Sequence, residues 1–350
     1  MHRLCARRRC SRSRCQIFRA AAALVLAALS SAAGVRYLEA QNALAKMASL
    51  REPPPPWAYA INPPAEGSGA AAKPPDPNPR RVPDSEAVFT VEQTKDFFNP
   101  PDWHPGSHLA MPVIVARGRA PDVFACGYCH LPNGQGRPEN SSLAGLPAAY
   151  IVQQVADFKR GLRKSSDPRH APTSAMIAHE TKATDEEIEA AAEYFSSLKP
   201  RPWIRVIESD AVPVTHVAGW MLVPSDGGGM EPIGQRIVET PENLERTELR
   251  DDHSGFIAYV PVGSIKKGES LATGAAKTLR CATCHGRDLK GHGKVPGLAG
   301  RSPSYIVRQL YDIQNGARSG AAVHQMRPVV AKLTVEDMVA IAAYIASLNP

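Results

Sequence analysis

Two short segments carry residue types whose spacing could do chemistry: Cys126-Gly-Tyr-Cys129-His130 and Cys281-Ala-Thr-Cys284-His285. In each, two thiols are separated by one helical turn and an imidazole follows at once. Thiols so placed can add across the two vinyl groups of a haem, forming thioethers, while the histidine sits beneath the iron as its proximal ligand. Other chemistries use the same residue types. A zinc site needs four ligands, and each segment offers an obvious three. Thiol–disulfide exchange calls for an αβ pattern around the cysteines, which is absent. A disulfide framework suits four cysteines in an exported chain, but it gives the two histidines no role. Cys5, Cys10 and Cys15 lie in a basic N-terminal stretch and receive no function.

The segments belong to an internal repeat, which weighs more than either motif alone. Leu143-Ala-Gly145 and Leu298-Ala-Gly300 begin 13 residues after His130 and His285; Tyr150-Ile-Val-x-Gln154 and Tyr305-Ile-Val-x-Gln309 begin at 20; Gly161-Leu-Arg163 and Gly316-Ala-Arg318 begin at 31. The register then slips by five residues through an insertion around residues 165–173, and recovers at Met176 and Met326. The shared offset of these methionines from the last segment makes them candidates for the sixth iron ligand, a soft thioether that raises the reduction potential. His170 and His179 compete in the first copy and His324 in the second; a second imidazole would lower the potential instead.

The elements that must position these groups are helical. Thr184 with Glu187, and Thr334 with Asp337, form capping signatures three residues apart. Ile188, Ala191, Ala192, Phe195 and Leu198 then recur at three- and four-residue steps, as on one buried helix face. Tyr150–Lys159 and Tyr305–Gln314 also pattern as helices. Each copy is an all-α unit of about 75 residues, near the lower limit for one core, and a buried haem would add apolar surface. Tyr150, Tyr305, Gln154 and Gln309 are expected to face the core of their own repeat, and Arg163 and Arg318 to meet haem propionates or solvent. Residues 201–275 have no counterpart before the first copy; Trp203–Ile207, Trp220–Val223 and Phe256–Val260 read as short strands that pack on both units. Trp103, His104 and His108 stand in a loop-like stretch with no assigned chemistry.

The expected organisation is a signal peptide over 1–33, a Pro-rich tether without fixed structure over 34–85, a first haem domain with an N-terminal extension over 86–200, an insert over 201–275 and a second haem domain over 276–350. Seven arginines within residues 1–19 precede the apolar run Ala20–Leu29 and small residues, a secretory pattern. The run is short of the ~20 residues of a spanning helix, so export to the periplasm is expected, with an uncleaved membrane anchor as the alternative. Without that stretch the acids and bases balance at 34 each, and the basic character carries no nucleic-acid reading.

Taken with the Gly-x-Arg segments, the later methionines and the Ala-Ala-Tyr-Ile-Ala-Ser-Leu ending, both repeats resemble the two-domain, two-haem cytochromes c of bacteria, built from class I units. The resemblance implies a mainly α fold of two all-α haem domains; the short-stranded insert that joins them, the tether and the residues before 115 depart from the compact two-domain pattern. It implies two covalent haem c groups on Cys126/Cys129 and Cys281/Cys284, and axial pairs His130/Met176 and His285/Met326. It further implies electron transfer, without a catalytic site, to or from an oxidase, reductase or dehydrogenase. Class I units place a proline whose carbonyl orients the proximal histidine: Pro296 fits, whereas the first copy has Ser141. The rival readings are a dihaem cytochrome c peroxidase and a dedicated electron-accepting subunit of a periplasmic dehydrogenase.

Overall fold

In a computed structural model, residues 53–64, 76–274 and 278–350 are described. The signal-peptide segment lies outside them. Among the described residues no helix is long and apolar enough to cross a membrane.

The first repeat is built from α1 (Cys126–His130), α2 (Ala148–Lys159), α3 (Ala171–Ala178) and α4 (Asp185–Ser197). Helix α4 starts where its sequence requires: Thr184 Oγ1 accepts from Glu187 N (3.2 Å), and Thr184 N donates back to Glu187 Oε2 (2.8 Å). Its apolar face, Ile188, Ala191, Ala192 and Phe195, closes a core with Ile114, Val115, Leu146 and Ile151. The strands follow: β1 (Ile204–Glu208), β2 (Ala211–Pro213), β3 (Thr215–Ala218), β4 (Met221–Pro224), β5 (Met230–Pro232), β6 (Val238–Pro241) and β7 (Phe256–Val260). Strand β1 pairs parallel with β7, which pairs antiparallel with β6; β2–β5 and β3–β4 are separate antiparallel pairs. The second repeat comprises α5 (Ser264–Ala272), α6 (Ala282–His285), α7 (Pro303–Gln314) and α8 (Val335–Ser347), with the same reciprocal cap between Thr334 and Asp337.

The described residues thus combine helices with several short strands, and the three strand runs read from the sequence coincide with β1, β4 and β7 within a residue. Two features depart from the sequence reading. Helix α5 falls within the span assigned to the insert, yet it packs on α8. A Cβ on Gly268 would stand 1.9 Å from the Ala340 carbonyl oxygen, so the two backbones cross where there is no side chain to separate them. Glycine in a short polar run reads as a helix breaker, which conceals the element. In the first repeat the α-helix that precedes the cysteine motif is a single turn, Val113–Ala116. The compact core of this repeat is correspondingly smaller than that of the second, where α5, α7 and α8 enclose Leu271, Val307, Met338 and Ile345.

The Pro-rich segment is also not structureless throughout. Tyr59 is 1 % exposed and donates to Asp312 Oδ1 (2.7 Å), while Arg308 Nη1 donates to the Ala58 carbonyl (2.7 Å). Ala58 ends a 3-10 turn over Pro56–Ala58, whose last carbonyl has no partner within the turn, and here it finds a buried guanidinium on the second repeat.

Candidate functional site

Each cysteine motif forms a short helical turn whose histidine is buried. His130 Nδ1 lies 2.7 Å from the Ser141 carbonyl oxygen, and His285 Nδ1 lies 2.8 Å from that of Pro296. A carbonyl can only accept, so Nδ1 carries the proton in both rings and Nε2 presents a lone pair. Burial disfavours the imidazolium: it pushes His130 down to about 4, against the raising effect of the Ser141 bond, and lowers His285 likewise. Both rings are therefore neutral and fixed in the tautomer that an iron ligand requires. Ser141 serves as well as Pro296 because the orienting atom is main-chain.

The first motif opens onto an apolar cleft. Cys126, Cys129 and His130 form one wall; Leu143, Ile151, Val155, Phe195 and Met176 line the others. Burial holds the Cys126 thiol well above its usual range and Cys129 at about 11. All four motif cysteines are free of disulfides. His170 lies outside this cleft, in an adjoining cavity that borders both His130 and Met176. Its Nδ1 is 2.9 Å from Thr173 Oγ1 and its Nε2 is buried without a hydrogen bond. His179 stacks on Phe124 at 3.8 Å. In the second repeat Cys281, Leu298, Tyr305 and Met326 border the core, half-buried, while His324 is exposed. An apolar wall, two thiols, a neutral histidine and a thioether on one cleft fit a covalently held haem. The group would supply a one-electron iron couple; the chain would supply its ligands and a dry pocket.

The glycines and prolines of the repeat acquire a reason. Gly145 and Gly300 have φ of 68° and 69°; a Cβ on either would lie 2.7 Å from Pro200 or Pro350. The Leu-Ala-Gly turn is thus closed by the proline that ends each repeat, with Gly145 N bonded to Phe195 O and Gly300 N to Ile345 O (both 3.0 Å).

The tyrosines and glutamines expected in separate cores, and the arginines expected at haem propionates or in solvent, instead meet between the repeats. Arg318 donates to Gln154 Oε1 (2.7 Å) and Gln309 Oε1 (3.0 Å), and Arg163 donates to the same two oxygens (3.1 and 3.3 Å) and to Tyr305 OH (3.2 Å). Main-chain bonds Lys164 N to Ala317 O (2.8 Å) and Ser319 N to Leu162 O (2.7 Å) join the Gly-x-Arg loops. Burial raises the Tyr305 hydroxyl, but Arg163 and Arg318 outweigh it and bring it down to about 8. Arg301 was not foreseen: it donates to Gly297 O and to Ser142 O, both at 2.6 Å. It thereby clamps together the two loops whose neighbouring carbonyls hold His285 and His130. The first copy has Leu146 at the equivalent position, so no repeat signal marked it.

The strand region contacts both repeats. Arg250 donates to the Tyr128 carbonyl (2.7 Å), with its guanidinium 3.5 Å over the Tyr128 ring, and Gln135 donates to Ser254 O (2.8 Å). On the other side Glu239 on β6 accepts from Ser302 Oγ (2.8 Å), the residue that caps α7.

Comparison with known proteins matches the cytochrome c family model to residues 115–199 and again to 265–349. Cytochrome c4 of Azotobacter vinelandii is 25% identical over 248 residues, 69% of this chain and 92% of its own length. The thiosulfate dehydrogenase electron acceptor of Thiomonas intermedia is 26% identical over 65% of this chain and 80% of its own length. Cytochrome c-554(548) of Halomonas halodenitrificans is 35% identical over 77 residues, 22% of this chain and 93% of its own length.

Proposed function

This chain belongs to the cytochrome c family and carries two covalently bound haem c groups, and we propose that it takes electrons from a periplasmic dehydrogenase and hands them to an oxidase or reductase. The irons are ligated by His130 and Met176 in the first repeat and by His285 and Met326 in the second, with thioethers from Cys126, Cys129, Cys281 and Cys284. The observation that carries the reading is the Arg301 clamp, which ties the loops behind both proximal histidines into one hydrogen-bonded unit. Two sites joined through buried, fixed groups suit electron passage between them, since neither pocket must reorganise for the other to change state. The secretory pattern of residues 1–33 supports export.

The narrower reading, a dedicated electron-accepting subunit, is favoured by the likeness to the Thiomonas thiosulfate dehydrogenase electron acceptor over 80% of that protein. A spectroelectrochemical titration tests the proposal: two one-electron steps of the low-spin His/Met class are expected. Rapid haem reduction by a thiosulfate-oxidising dehydrogenase selects the subunit reading. Carbon monoxide binding by the reduced protein, with turnover of hydrogen peroxide, would overturn both in favour of a peroxidase.

A further inference from the structure

A cavity of about 250 Å³ opens between the two repeats, and no residue of either cysteine motif lines it. Equivalent positions of both copies do, among them Gly145 with Gly300 and Pro200 with Pro350. The charged residues break this symmetry. Lys199, Arg201, Lys290 and Arg301 all line the cavity, and no aspartate or glutamate does. Counted along the repeat, Lys199, Lys290 and Arg301 stand where the other copy has Asn349, Gln135 and Leu146. The positive charge is therefore not part of what the two copies share; it is added to this cavity from separate places in the chain.

These cations lack the partners that a purely structural role would give them. Among the described residues none of the four pairs with an aspartate or glutamate. Arg301 is 9 % exposed, and its Nε and Nη1 donate to two neutral carbonyls, Gly297 O and Ser142 O (both 2.6 Å). Its Nη2 makes no hydrogen bond among the described residues, which leaves a donor to turn into the cavity. Burial pushes this guanidinium down, and only Tyr305 and Tyr150 draw it back up. A buried charge without a counter-charge is costly. Arg201 Nη1 donates to His253 Nε2 (3.2 Å) and Lys290 Nζ to Pro350 O (3.1 Å). Lys199, Arg201 and Lys290 are exposed, so their long side chains can close over whatever sits on Arg301.

We infer that this cavity binds a small divalent oxyanion of the sulfate or phosphate class. The planar fork of arginine matches the edge of an oxyanion, and lysines add point charges around it. A recess lined by one sign of charge, with low-dielectric walls, concentrates counter-ions. The volume lies below the about 300–1,000 Å³ of pockets for drug-sized ligands, which favours an ion over an organic cofactor. Ser142 and Gly297 adjoin Ser141 and Pro296, whose carbonyls hold His130 and His285. A dianion on Arg301 thus places negative charge behind both haem sites at once. Negative charge favours the ferric state over the ferrous, so binding lowers both reduction potentials. That consequence rests on the haem assignment; the binding itself does not.

The test uses the full holoprotein in a buffer free of sulfate and phosphate. It is titrated by calorimetry with sodium sulfate and, separately, with inorganic phosphate, against sodium chloride of matched ionic strength. Saturation at one ion per chain is expected for at least one dianion and not for chloride. Lys199→Asn and Lys290→Gln install the other copy's residue at exposed positions, and each should weaken binding about threefold to tenfold. Lys332→Gln, exposed and outside the cavity, should leave binding unchanged. Arg301→Lys keeps the charge but loses the fork and should weaken it further, with an unchanged haem spectrum as the check on folding. In spectroelectrochemical titrations the bound dianion should lower both potentials in the wild type and less in the lysine variants. No saturable binding of either dianion, an equal response to chloride, or wild-type binding by both lysine variants would overturn the site. Binding with unmoved potentials would overturn its link to the haems, whereas the absence of two one-electron steps would overturn the haem assignment instead.

Discussion

Glu239 is a buried acid at the contact between the strand region and the second repeat, and its removal has a calculable consequence. Burial raises its carboxyl from 4.5 to about 7, an effect only partly offset by the bonds from Ser302 and Ser304. One oxygen accepts from Ser302 Oγ; the other, Oε1, has no hydrogen bond. A group whose folded-state pKa lies above its unfolded value stabilises the fold at pH below the unfolded value, where both states hold the proton. That stability is lost as pH rises through the folded value. The window is therefore pH 4.5 to about 7, and at 1.36 kcal/mol per unit the loss comes to roughly 3 kcal/mol. Glu239→Gln keeps the shape and can still pair with Ser302, but it cannot ionise. Denaturant unfolding of the holoprotein at pH 5 and pH 8 should show the variant gaining about 2.5 kcal/mol on the wild type between the two, part of the loss having already occurred by pH 5. Parallel pH dependence in the two proteins would refute the reasoning, because the acid would then ionise as freely in the fold as out of it.

Replacing Met176 or Met326 by histidine should lower one reduction potential and spare the other, as read by spectroelectrochemical titration; if neither moves, the sixth ligands are misassigned. Gly268→Ala should destabilise the second repeat by about 1–3 kcal/mol or more, since its methyl group meets the Ala340 carbonyl; thermal unfolding reads the change. Tyr59→Phe should cost about 1–3 kcal/mol by leaving the buried Asp312 short of a donor. Because that contact anchors the Pro-rich segment, limited proteolysis between residues 53 and 64 should quicken in the variant.

Local interactions explain how much of this molecule the sequence makes legible. The cysteine motifs work within one helical turn, the caps at Thr184 and Thr334 need only the residue three positions on, and one helix face fixes which side is buried. Such features recur at fixed offsets in both copies, so the repeat exposes them. The Leu-Ala-Gly turn and the closing proline were visible as a pattern, although their mutual contact was not. What remained hidden depends on groups far apart in the chain. Arg301 reaches Ser142 across the interface, and Arg163 and Arg318 share Gln154 and Gln309 between repeats. Helix α5 is concealed behind Gly268, because a glycine's value at a backbone crossing exists only once the partner helix is in place. Ser141 shows the converse: the missing proline suggested a difference between the sites, but the His130 ring is oriented by a carbonyl, which every residue has. Sequence alone thus determined the two cysteine–histidine motifs and the helices that carry them. Tertiary structure decided how the two halves meet, because side chains more than a hundred residues apart become partners only when the packing of both repeats brings them within hydrogen-bond distance.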